Sequence, residues 1–108
     1  MSNYVSVYMT ASSGEEADRI ASALVEERLA TCVNILGGIR SVYRWNGVVV
    51  GDSEVALIAK TRAALFDALA ARVRALHSYE VPCIVSWPIE AGNPAYLAWI
   101  EAETGGTG

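Results

Sequence analysis

Residues 31–60 read TCVNILGGIRSVYRWNGVVVGDSEVALIAK, and the fold turns on the pair Asn46-Gly47 at their centre. A two-residue loop between strands favours a type I′ turn, which needs positive φ at both central residues, and Asn-Gly tolerates this well. The flanking runs, Thr31 to Trp45 and Val48 to Lys60, carry many β-branched and aromatic residues that suit a pleated surface. The segment therefore reads as a long antiparallel hairpin. Gly37-Gly38 interrupts its first arm, and two glycines inside a β-rich run predict a bulge or bend.

Upstream, Tyr4 to Thr10 alternates Tyr4, Ser6 and Tyr8 with Val5, Val7 and Met9, a strand pattern. Ser13 followed by Glu16 is a capping-box signature, and Ala17, Ile20, Ala21, Leu24 and Val25 then recur at helical spacing, so a helix is expected from about Gly14 to about Leu29. Downstream, Thr61 is placed to cap a second helix that buries Leu65, Leu69, Val73 and Leu76 and ends near His77. Val81 to Trp87 reads as a fourth strand stopped by Pro88, and Asn93-Pro94 opens a short third helix through Ala98 and Ile100. Residues 1–104 form one domain, and the Gly105 to Gly108 tail is expected to be flexible.

The order β-α-β-β-α-β with right-handed crossovers gives an α/β fold of the α+β kind, a ferredoxin-like sandwich with strand order 4-1-3-2. Both main helices then cover one sheet face, and the other should be polar. It is not: Val55, Leu57 and Ala59 alternate with Ala56 and Ile58, and Val81, Cys83 and Val85 with Ile84. The terminal helix, with Tyr96, Leu97 and Trp99, is too short to cover that face. Burial against other copies of the chain is expected.

Composition agrees: the 108 residues are 53% hydrophobic and 19% charged, more apolar than one small core needs. Such a chain is not disordered, and it has no apolar run long enough to span a membrane. Eight basic residues scattered among twelve acidic ones, with net charge -4, exclude the basic stripe that nucleic-acid binding requires. The first residues carry no basic segment followed by an apolar run, so a cytoplasmic location is expected. Cys32 and Cys83 show no CxxC spacing and read as free thiols of a reducing compartment.

The topology brings Met9, Thr10, His77, Tyr79, Glu80 and the Asn46-Gly47 tip to one end of the sheet, with Cys32 at the other. Glu54 and Lys60 lie roughly 20 Å apart along one strand and cannot pair. His77, the sole histidine, has two readings: a metal or acid-base group with Glu80 and Met9, or a charge complement to a helix C-terminus. Tyr43 and Trp45 either line a ligand cleft or pack on a neighbouring subunit. No catalytic triad, phosphate-binding loop or dinucleotide fingerprint is present, and no enzyme is expected.

In one order the chain carries Leu29-Ala30-Thr31-Cys32-Val33-Asn34-Ile35, Ser41-x-Tyr43-x-Trp45-x-Gly47, Glu54, Lys60-Thr61, His77-x-Tyr79-Glu80-Val81-Pro82 and Gly92-Asn93-x-x-Tyr96-Leu97-x-Trp99. Together, from about Val5 to Glu103, these resemble the CutA divalent-cation tolerance family. The resemblance implies a tight homotrimer of ferredoxin-like protomers, with Tyr43, Trp45, Glu54, Lys60, Tyr79 and Trp99 at an intersubunit cleft or interface. It also implies a role in tolerance to copper and other divalent metals, with no cation required for folding and no enzymatic activity. The family's proposed bacterial metal positions fall on Met9, Leu76 and His77, of which only His77 is histidine here, and Ser78 stands where the pattern has proline. The metal candidates are therefore His77, Glu80 and Met9, whose thioether suits Cu(I) better than Cu(II). Two other readings share the topology: a PII-like trimeric sensor of small ligands, disfavoured by the tight Asn46-Gly47 turn, and a scaffold trimer without a ligand.

Overall fold

The computed structural model describes residues 2–104; the expected flexible tail lies outside them. The elements are β1 (Tyr4–Ala11), α1 (Gly14–Glu26), β2 (Cys32–Trp45), β3 (Val48–Arg62), α2 (Phe66–Leu76), β4 (Ile84–Pro88) and α3 (Pro94–Glu103). A 3-10 turn, Ala63–Leu65, precedes α2. One antiparallel sheet holds the strands in the order β2-β3-β1-β4, as the ferredoxin-like topology requires.

The hairpin forms as its sequence dictates. Asn46 (φ 51°) and Gly47 (φ 79°) both take the left-handed conformation of a type I′ turn. At Gly37-Gly38 the register slips between Leu36↔Ala56 and Ile39↔Glu54, so two residues of β2 face one of β3, with Gly38 at φ 74°. This inserted residue changes the parity of β2. Asn34 and Leu36 before the bulge, and Ile39, Ser41, Tyr43 and Trp45 after it, all share the face carrying Glu54, Ala56 and Ile58.

The opposite face holds the core. Val5, Val7, Met9 and Ala11 of β1, with Leu57 and Ala59 of β3, pack beneath Ile20 and Leu24 of α1 and Leu69 and Val73 of α2. The helix α1 stops three residues short of the expected end. Leu29 N–H bonds to Leu24 O at 2.9 Å and Arg28 N–H to Val25 O at 3.1 Å, a Schellman closure with Arg28 at φ 59°.

Two further boundaries differ from expectation. Thr61 does not cap α2: it belongs to β3, paired with Val5, and its buried Oγ1 lacks a partner among the described residues. Sheet pairing through Arg62 keeps the backbone extended past Thr61, so the helix begins later. The fourth strand begins at Ile84 and includes Pro88, an edge position where the missing N–H is tolerated. Val81, Pro82 and Cys83 instead lie in the strap that joins α2 to β4.

The helix α3 covers one end of the second face. Its Tyr96 hydroxyl lies 3.2 Å from Cys32 Sγ, and Tyr4 Oη donates to Glu101 at 3.0 Å. Thr31 and Arg62 bond its C-terminal backbone at Ile100 and Thr104. Beyond it Val85 and Trp87 on β4, and Trp45 and Val48 near the turn, remain exposed. The hairpin also outruns the helices, leaving Val42 72% and Val49 59% exposed on the other face. The accessible surface of 6381 Å² exceeds the roughly 5,800 Å² of a compact monomer of this size. No helix among the described residues is long and apolar enough to cross a membrane.

Candidate functional site

The strap after α2 is clamped to the start of α1 by one carboxylate. Ser13 caps α1 by accepting from Glu16 N–H at 3.2 Å, as the capping-box spacing requires. The Glu16 side chain does not return to Ser13; its Oε1 accepts from Ser12 N–H and Ser12 Oγ, each at 2.9 Å, and its Oε2 from Ser78 N–H at 2.7 Å. Burial alone would raise the Glu16 pKa, but these hydrogen bonds outweigh it and lower the pKa to about 2. Next to this clamp the His77 ring is wholly buried. Its Nδ1 accepts from Tyr79 N–H at 3.0 Å, which puts the ring proton on Nε2, donated to Thr10 O at 2.7 Å.

The strap thereby lays Tyr79, Glu80, Val81 and Cys83 over the uncovered sheet face, opposite Tyr8 and Thr10 of β1. Ser41, Tyr43 and Trp45 from β2 and Glu54 from β3 complete a cleft of about 460 Å³. Tyr79 Oη donates to Glu54 Oε2 at 2.7 Å, and Tyr43 Oη to Asp52 Oδ2 at 2.6 Å. Both phenols are thereby kept protonated. Burial followed by the Glu54 bond raises the pKa of Tyr79, and the Asp52 bond raises that of Tyr43.

Of the site residues read from sequence, Tyr43, Trp45, Glu54, Tyr79 and Glu80 line this cleft. Four others do not. Lys60 bonds Asn34 at the far end of the sheet, and Trp99 packs on Tyr96 in α3 with ring centroids 5.6 Å apart. Met9 is buried in the core on the helix side, and both His77 nitrogens are committed to the backbone. The trio Met9, His77 and Glu80 therefore does not fit a metal centre: its soft ligand faces the core, its imidazole offers no free lone pair, and only Glu80 is exposed. Among the described residues no three His, Cys, Asp or Glu side chains cluster to hold an ion.

Tyr8, Thr10, Ser41, Val81 and Cys83 line the cleft and were not singled out as site residues. Alternation along β1 placed Tyr8 on the uncovered face, a signal present in the sequence; Ser41 depends on the parity change at Gly38. The Cys83 thiol is pushed above its ordinary pKa by burial and then by the Glu54 charge, so it is a poor thiolate. In a Cys32→Ser background, Glu54→Gln is expected to speed Cys83 alkylation at pH 8 by about two- to threefold, since the rate follows the thiolate fraction. Stopped-flow thiol titration checks this.

A four-stranded antiparallel sheet with its main helices on one face and a strapped aromatic cleft on the other defines a ferredoxin-like α/β sandwich. Within that class the chain belongs to the CutA1 divalent ion tolerance protein family, whose sequence profile matches residues 5–103. It is 54% identical over 99 residues to the divalent-cation tolerance protein CutA of Thermus thermophilus, spanning 92% of this chain and 96% of that protein. The chloroplastic CutA 1 of rice is 47% identical over 98 residues, 91% of this chain and 55% of the rice protein, so the chain spans about half the length of that relative. Among solved structures, the Thermus thermophilus protein superposes with a TM-score of 0.93 at 52% identity, covering 94% of this chain and 99% of that one. Rice CutA1 gives 0.94 at 43% identity, covering 98% and 97%.

Proposed function

We propose that the chain is a cytoplasmic homotrimer that acts, without catalysis, in the response to divalent metal ions, copper among them. The metal relation is supported by membership of a family named for divalent ion tolerance. The observation that carries the assembly is the apolar sheet face that α3 leaves open, where Trp87 remains 52% exposed. Threefold packing is what the motif resemblance implies for that face. A reducing compartment is supported by the free thiols Cys32 and Cys83. Relatives are named for other compartments, the chloroplast in rice and the periplasm in Archaeoglobus fulgidus, so location rests on the chain's own chemistry.

In this reading the ion is held weakly, through the exposed carboxylate of Glu80 rather than through His77 and Met9. Calorimetric titration of metal-free protein with Cu(I), Cu(II) and Zn(II) tests it. His77→Gln is expected to leave affinity within about twofold, whereas Glu80→Gln weakens it about three- to fivefold, the scale of an exposed charge interaction. A loss of copper binding confined to His77→Gln would reinstate the imidazole as ligand.

A further inference from the structure

Among the described residues the strap from Ser78 to Cys83 makes no backbone–backbone hydrogen bond. Three bonds to side chains hold it instead: Ser78 N–H to Glu16, Tyr79 N–H to His77 Nδ1, and Tyr79 Oη to Glu54. A segment tied by so few bonds opens more readily than the packed elements around it. One of the three depends on pH near neutrality, because an imidazole nitrogen accepts a hydrogen bond only while it is unprotonated.

The His77 ring is wholly buried inside the protomer, so its surroundings are complete without a second copy. Nε2 is spent on Thr10 O, and a second proton must therefore go to Nδ1. There it would point at Tyr79 N–H, donor against donor. The carboxylate able to receive it is Glu16, whose Oε2 lies 3.9 Å from Nδ1 and already takes Ser78 N–H at 2.7 Å. With its pKa held at about 2, Glu16 keeps its charge at every pH where an imidazole titrates.

The other elements around the ring bring little to compete. The strap lays the Tyr79 ring against it, centroids 4.6 Å apart, and burial keeps that phenol protonated. From β1 comes the Thr10 carbonyl, while Tyr4 and Tyr8 of that strand lie on the uncovered face. Glu54 of β3 acts through Tyr79, β4 has no titratable residue, and Arg74 of α2 is exposed.

We propose that His77 is a proton-operated latch on the strap: protonation at Nδ1 exchanges Tyr79 N–H for the Glu16 carboxylate as the partner of the ring and releases the Tyr79 backbone. The strap then hangs on Ser78 and on the Tyr79–Glu54 bond, and it opens more often. The device lies within one protomer and requires no bound ion.

The test uses the full chain in its native assembly, with EDTA present. Because His77 is the sole histidine, labelling with 13C,15N-histidine gives one ring signal to follow by NMR from about pH 8 to about pH 5. In parallel, the protection factor of the Tyr79 amide is measured by hydrogen exchange, corrected for the intrinsic effect of pH. Protection is expected to fall about tenfold, the scale of losing one hydrogen bond, with the same midpoint as the ring signal. In His77→Gln, whose side chain keeps a donor and an acceptor but takes no proton, protection should stay level across that range. Circular dichroism and solution mass confirm that the variant is folded and assembled; the wild-type comparison stands without it. A ring that stays neutral down to about pH 5, or one that titrates while Tyr79 protection holds, would overturn the latch. The same loss of protection in folded His77→Gln would overturn it as well.

Discussion

Glu16→Ala is expected to lower the unfolding free energy by about 3 kcal/mol, the scale of losing several hydrogen bonds to a buried charged acceptor. Glu16 is only 2% exposed, and its two oxygens accept from Ser12 and Ser78, so one side chain joins the start of α1 to the strap that carries Tyr79. Alanine leaves those donors without a partner and leaves the strap held through His77 and Tyr79 alone. Denaturant titration at matched protein concentration measures the loss, since assembly makes the midpoint concentration-dependent.

The same carboxylate sets an acid limb. Its folded pKa of about 2 lies below the ordinary glutamate value of about 4.5, so the folded state resists protonation. The stabilisation is fully present above about pH 4.5 and is lost as pH falls toward about 2, amounting to about 3 kcal/mol. Glu16→Gln should flatten stability over that interval while leaving the region above pH 6 nearly parallel to wild type. An unchanged acid limb in the variant would place the sensitivity on other carboxylates.

The second large effect concerns assembly. Val85 sits next to Tyr8 on the uncovered face, and the Tyr8 ring lies 5.5 Å from that of Trp87. Val85→Lys places a charge at the centre of the face proposed to be buried between subunits. Such a charge costs several kcal/mol per copy when desolvated without a partner. Sedimentation equilibrium is expected to show the variant dissociating to protomers at micromolar concentration. Ala71→Lys, on the solvent side of α2, makes the same charge change and should leave the mass unaltered. A fully assembled Val85→Lys variant would place the interface elsewhere.

Much of this architecture is legible in short windows of sequence. Asn46-Gly47 dictates its own turn, the 3.6-residue spacing of Ala17, Ile20 and Leu24 marks α1, and the motifs from Cys32 to Trp99 mark the family. What the windows misplace is governed by partners distant in the chain. Thr61 has the chemistry of a cap, yet pairing with Val5 holds it in β3. Val81 and Cys83 alternate like a strand, yet the strap pinned by Glu16 and His77 carries them across the sheet.

The cleft shows the same division. Glu54, Tyr43, Trp45, Tyr79 and Glu80 stand out by residue type and motif, whereas His77 and Met9 look like ligands until their neighbours are known. An imidazole's availability depends on whether the backbone has already taken both its nitrogens, and a thioether's on which sheet face it occupies. Sequence alone determines the order and central stretches of the strands and helices, the turn and the apolar surplus, because these arise from residues within a few positions of one another. Tertiary structure decides the rest. The single residue inserted at Gly37-Gly38 turns Ser41, Tyr43 and Trp45 toward Glu54, and long-range hydrogen bonds carry Tyr79 across to meet it.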